Sequence, residues 1–129
     1  MNEDSFGQMK LLELFRRKKK SAGGNPLGSV RVNETHVVYR RPDDTEDRVT
    51  WSELIEVGVL TTDEGPIQED VFFMLLSGKK DEGCAVPQGA QDVDQLVEKI
   101  QGLPNFKNDE LIKAMGCTSN NRFVCWKRA

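Results

Sequence analysis

The chain is short of the residues from which catalytic and metal sites are usually built. Its 129 residues include one histidine, one tyrosine, two tryptophans and three cysteines. His36 is the only imidazole, so any Ser-His-Asp or Cys-His arrangement would have to use it. It stands in an alternating stretch with nothing nucleophilic beside it in sequence, and is read as an ordinary strand residue. Cys84, Cys117 and Cys125 are odd in number and widely spaced, with no Cys-x-x-Cys or Cys-x-x-His pair, so no zinc or other metal is expected. Free thiols in a reducing compartment are the simplest reading, with Cys84 and Cys125 as small core hydrophobes and Cys117 the most exposed. No secretory pattern is visible, and the expected location is cytoplasmic. The longest apolar run, Val71-Phe72-Phe73-Met74-Leu75-Leu76, is far too short to cross a bilayer. There is no P-loop, no dinucleotide-binding glycine pattern and no kinase or hydrolase elbow. No cofactor is expected, and the chain is read as non-enzymatic.

Charge is plentiful but uneven. Charged residues make up 30% of the chain and the formal net charge is -3. Residues 1–20 hold six Lys/Arg against three Asp/Glu, whereas the remainder holds twelve against eighteen. An acidic body lacks the basic footprint that releases counterions from nucleic acid, so no nucleic-acid partner is expected.

Periodicity divides the chain into a basic N-terminal unit, residues 1–26, and a single domain, residues 27–129. Residues 6–20 are predicted as a helix with Leu11, Leu12 and Phe15 on one face and Met9 and Leu14 at its margins. Arg16, Arg17, Lys18, Lys19 and Lys20 close it with an unbroken basic run, and Ser21 to Pro26 reads as a flexible linker. The period then changes to two. Strands are expected at Val30–Val32, His36–Arg40, Arg48–Trp51, Val57–Thr61, Val71–Leu76 and Cys84–Val86, with a helical turn capped by Ser52. Val71–Leu76 is apolar on both faces and is therefore expected to be central. A capping box of Asp92 and Gln95 opens a predicted helix bearing Val93, Leu96, Val97 and Ile100. Asn108 is expected to cap a second helix bearing Leu111, Ile112 and Met115, and Arg122–Trp126 reads as a last strand. Strands followed by helices indicate an α+β fold with a mainly antiparallel sheet. Val71, Phe73, Leu75, Leu96 and Ile100 are expected to pack together.

The segment Trp51-Ser52-Glu53-Leu54-Ile55-Glu56-Val57, placed after short strands, resembles the Trp-x-x-Ile/Leu-x-x-Val segment of small bacterial pleckstrin-homology-like domains. That resemblance implies a bent antiparallel sheet or partial barrel plugged by a C-terminal helix, with the N-terminal helix separate. The helix at 109–115 and the final strand depart from that plan. A second set of residues is similar to a family of uncharacterised small bacterial proteins: Thr61-Thr62-Asp63-Glu64-Gly65-Pro66, Asp70-Val71-Phe72-Phe73, Cys84-Ala85-Val86-Pro87-Gln88-Gly89 and Phe123-Val124-Cys125-Trp126. It implies no particular activity.

The expected function is a non-enzymatic module for protein–protein interaction through acidic loops. Asp43, Asp44, Glu46 and Asp47 crowd one loop, and Asp63, Glu64, Glu69 and Asp70 another. Both read as solvated charge, since neither has the order of a calcium loop. The second is the more specific, because Gly65-Pro66 imposes a defined backbone. Asp63, Glu64, Glu69, Asp70, Trp51 and Gln88 are the candidate partner-binding residues. A deep pocket lined by Trp51, Asp63, Glu64 and Gln88 would favour an enzyme instead. An immunity or inhibitor protein that neutralises a basic enzyme is an alternative. The N-terminal segment has two further readings. Arg16 to Lys20 beside apolar residues suit an anionic membrane surface, and a solvated or partner-docking helix suits a stripe interrupted by Glu13.

Overall fold

The structure, a computed structural model, describes residues 26–63 and 71–128. The expected N-terminal helix, its basic run, and Glu64, Glu69 and Asp70 lie outside the described residues. The described chain is α+β, with two antiparallel sheets and two helices.

The first sheet is a meander of β1 (Ser29–Val32), β2 (His36–Arg40) and β3 (Glu46–Thr50), in the order β1-β2-β3. Alternation sends Val30, Val37, Tyr39 and Val49 inward. Gly28 opens it at φ +85, where an added Cβ would stand 2.3 Å from the Arg40 carbonyl oxygen, so only glycine fits. The β1–β2 turn is organised by Asn33, whose Oδ1 accepts the backbone N–H groups of Thr35 and His36, each at 2.9 Å.

A 3₁₀ turn at Trp51–Glu53 then breaks the chain direction. Thr50, not Ser52, stands at its N-cap, and no side chain caps it. Trp51 belongs to this turn rather than to the strand before it. The second sheet follows: β4 (Leu54–Thr61), β5 (Val71–Ser77), β6 (Gly83–Pro87) and β7 (Asn121–Lys127), in the order β6-β5-β4-β7. β5 is central, as its two apolar faces predict.

The sequence led us to expect one bent sheet or a partial barrel. The described residues form two antiparallel sheets and no closed barrel. At the corner between the sheets, side-chain bonds join β3 to the β5–β6 turn. The buried carboxylate of Glu82 accepts the Thr50 N–H at 3.1 Å, the Thr50 hydroxyl at 2.9 Å and the Ser77 hydroxyl at 3.2 Å. These bonds, the Thr50 N–H foremost, hold its pKa below the ordinary carboxylate value. At the other end of the chain, Arg128 clasps the 3₁₀ turn. Its guanidinium donates to the carbonyls of Leu54, Trp51 and Ser52 and lies over the Trp126 ring.

Helix α1 (Val93–Gln101) packs on β1, and α2 (Asn108–Met115) packs on β7 and β4. The expected capping box at α1 does not form. Asp92 is the N-cap but takes a left-handed conformation with no side-chain cap bond. Asn108 likewise sits one residue inside α2, where its Oδ1 accepts the buried Gln101 amide at 2.8 Å and ties the helices together. Both helices precede the last strand. One core results, in which Val71, Phe73 and Leu75 of β5 join Leu96 and Ile100 of α1 and Leu111 of α2.

Candidate functional site

Among the described residues singled out from sequence, Trp51 stands apart from Asp63 and Gln88. Trp51 lies in the turn that precedes β4 and Asp63 two residues beyond its end. The strand between them spans roughly 23 Å at ~3.3 Å per residue. Trp51 is half-buried; its Nε1 donates to the Asn33 carbonyl at 2.8 Å, and Lys99 lies 5.5 Å from its ring centre. It therefore links the β1–β2 turn to α1. Gln88 is only 2% exposed, and its amide faces the Met115 sulfur at 3.5 Å. It is a core-side residue near the Asp63 end of the sheet, where its N–H donates to the Val71 carbonyl at 2.9 Å. Asp63 is exposed, and its backbone N–H donates to the Asn120 side chain at 3.2 Å.

The other acidic cluster is occupied with its own turn. Asp43 accepts the backbone N–H of Thr45 at 3.0 Å and its hydroxyl at 2.6 Å, and these bonds lower its pKa. Asp44 takes a left-handed φ of 71. Arg40 pairs with Asp44, and Arg41 with Asp47. Beside this turn is an open depression of about 280 Å³ lined by Gly28, Ser29, Arg40, Arg41, Pro42, Asp44 and Gln91. It contains neither tryptophan, nor His36, nor any cysteine.

His36 is held by its own hairpin. Thr35 Oγ1 lies 2.9 Å from Nδ1, and Asn33 Nδ2 lies 3.4 Å from Nε2. The Thr35 hydroxyl also donates to Asn33 Oδ1 at 3.0 Å, so all these contacts lie within the one hairpin. Cys84 and Cys125 are buried, and desolvation raises both thiols to about 12. Cys117 is half-buried beside Ser119 and Thr61, and hydrogen bonds from Ser119 and then Thr61 lower its pKa. Among the described residues no group of three His, Cys, Asp or Glu side chains is placed to hold a metal ion, and no helix is long and apolar enough to cross a membrane.

What the sheet does bring together is apolar. On β5, Val71, Phe73 and Leu75 face the core, so Phe72, Met74 and Leu76 face outward. In register with them across β4 stand Leu60, Gly58 and Glu56, and beyond these Arg122, Val124 and Lys127 of β7. Phe72, Met74, Leu76, Leu60 and Val124 are half-buried and stand outside the core. Gly58 stands between Met74 and Val124 and has no room for a side chain, since a Cβ there would stand 3.0 Å from the Phe123 carbonyl oxygen. Glu56, paired with Arg122 and Lys127, forms a charged rim. The helices do not cover this face from the other side, because their buried residues Leu96, Ile100, Leu111 and Ala114 belong to the core. Sequence reasoning missed these residues, although the signal was present. A strand apolar on both faces calls for a cover on both faces, and only one cover was assigned.

The fold and this face define an α+β domain with an apolar sheet surface. No protein-family model, curated protein or solved structure matches the chain.

Proposed function

We propose that this chain is a non-enzymatic binding module on a pleckstrin-homology-like frame, and that its partner surface is the outer face of the four-stranded sheet. One observation carries the reading: Leu60, Phe72, Met74, Leu76 and Val124 form a contiguous apolar field outside the core, with a charged rim. Contiguous apolar patches on a domain surface mark interaction sites, and an apolar centre with a polar rim is the usual anatomy of a protein interface. Asp63 stands just past the end of β4 at one end of the face, which suits a partner that is apolar at its centre and basic at one edge.

The test is capture of a partner from cell extract by the full chain and by its Met74→Ser and Phe72→Ser variants. The captured partner is then titrated into chain labelled at the methionine methyl groups. Each variant is expected to weaken capture on the order of tenfold or more, as for the central residues of an interface, and the Met74 methyl signal is expected to shift while Met115 stays in place. Capture that survives both variants but is lost in Asp63→Asn would move the surface to the acidic loop and refute this reading.

A further inference from the structure

We propose that the chain's own N-terminal segment, residues 6–20, docks on the outer face of the four-stranded sheet and covers it in the free protein. This rests on reading that face as the partner surface, and it names what competes with the partner there.

Two apolar surfaces of this chain call for cover. One is the stripe of Leu11, Leu12 and Phe15, with Met9 and Leu14 beside it, that helical spacing gathers on one side of the segment. The other is the field of Leu60, Phe72, Met74, Leu76 and Val124, which stands outside the core that both helices fill. An amphipathic helix and an apolar sheet face reach a stable state by burying each other, and a sheet covered on both faces is an ordinary layered arrangement. Joining the two surfaces in one chain raises the effective concentration of each at the other.

Reach and charge agree with this pairing. From Phe15 to Leu27 the chain has a turn or so of predicted helix and then the Ser21–Pro26 linker. Together they extend roughly 30 Å, about the diameter of a small domain. Gly23 and Gly24 let the connection turn back on itself. The basic run of Arg16 to Lys20 follows directly on the apolar stripe. On the sheet, the end of the field at Leu60 and Phe72 leads into Asp63, Glu64, Glu69 and Asp70 in sequence. Stripe over field therefore allows the basic run to approach Asp63, two residues past the end of β4. An anionic membrane is the poorer occupant, because the body it would have to approach carries a net negative charge.

The experiment measures oxidation of Met74 by dilute peroxide in the full chain and in the Leu11→Asp/Phe15→Asp double variant. Met115, packed against the core, serves as the internal reference. Sedimentation is run on both chains, and amide dispersion confirms that both are folded. The expected result is a monomer whose Met74 is protected, with oxidation rising on the order of tenfold in the double variant, as follows when a segment docked most of the time is released. Lys18→Glu/Lys19→Glu is expected to give a smaller rise, and high salt likewise. Equal Met74 oxidation in the native chain and the double variant overturns the proposal. So does protection that appears only in a dimer or only with phosphatidylserine vesicles, which would assign the face to a second copy or the segment to a membrane. If Met74 is open in both chains while Met74→Ser still abolishes partner capture, the docking fails and the partner surface stands. Capture that is indifferent to Met74→Ser removes the partner surface itself, whatever the oxidation rates.

Discussion

The two faces of β5 are nearly the same in composition and opposite in circumstance. Val71, Phe73 and Leu75 are buried in the core, with Phe73 and Leu75 at 0% exposure. Phe72, Met74 and Leu76, interleaved with them, are only half-buried and stand outside it. The backbone is common to both sets and the side chains are of similar volume. The difference comes from what stands opposite each face. The inner face meets the first sheet and both helices, and the outer face meets no described element. Apolar character is therefore a statement about the demand for cover, and the fold decides where the cover comes from.

The sharpest way to break this comparison is a matched pair of truncations. Phe73→Ala is expected to cost about 3–5 kcal/mol, because it opens a cavity in a packed core. Phe72→Ala, one residue away, is expected to cost about 1 kcal/mol. Denaturant titration of both variants gives the ratio, and equal losses would mean that the outer face is packed as firmly as the inner one. Next in size is Ile100→Ala, expected to cost about 2–5 kcal/mol, since Ile100 on α1 is wholly buried in the same core as Phe73. A loss below about half a kcal/mol would detach α1 from the core that distinguishes the two faces.

The corner between the sheets gives a third, smaller effect with a pH signature. Glu82→Gln keeps the shape but replaces bonds to an ionised acceptor, a loss of about 1.5–3 kcal/mol. The folded-state pKa of Glu82 is depressed, so its contribution is fully present above the unfolded value of 4.5 and is lost as pH falls through the lower folded value. Unfolding midpoints measured from neutral pH down through this window should fall more steeply for the native chain than for Glu82→Gln. Parallel curves would show that the corner does not depend on the carboxylate. The smallest effect on stability, and a useful check on burial, concerns the thiols. Iodoacetamide should modify Cys117 first in the folded chain, and at lower pH than an ordinary thiol. Cys84 and Cys125, raised to about 12 and buried, should react only on unfolding. Mass spectrometry that finds Cys84 modified as fast as Cys117 would show that the core opens readily.

Much of the fold was legible. Alternation located the strands, and the 3, 4, 7 spacing of Val93, Leu96, Val97 and Ile100 located α1 together with the face it buries. The boundaries that failed were those set by distant partners. Ser52 and Asp92 look like side-chain caps in sequence, yet neither makes a cap bond. Asn108 is drawn to Gln101 of the preceding helix instead. The candidate site was less legible. Gln88 is polar and follows a strand, which suggests a surface, but the chain carries it inward beside Met115. Trp51 and Asp63 lie close in sequence, and an extended strand sets them far apart.

Local chemistry in the sequence was enough to place the strands and helices among the described residues. It showed that no familiar catalytic motif is present and that β5 must be central, because period and motif are properties of neighbouring residues. Tertiary structure alone decided that the strands divide into two sheets meeting at Glu82, and that Phe72, Met74 and Leu76 are left on a face outside the core. These outcomes depend on which distant segments come to lie across each strand, and a pattern of alternating residues is the same whichever side is eventually covered.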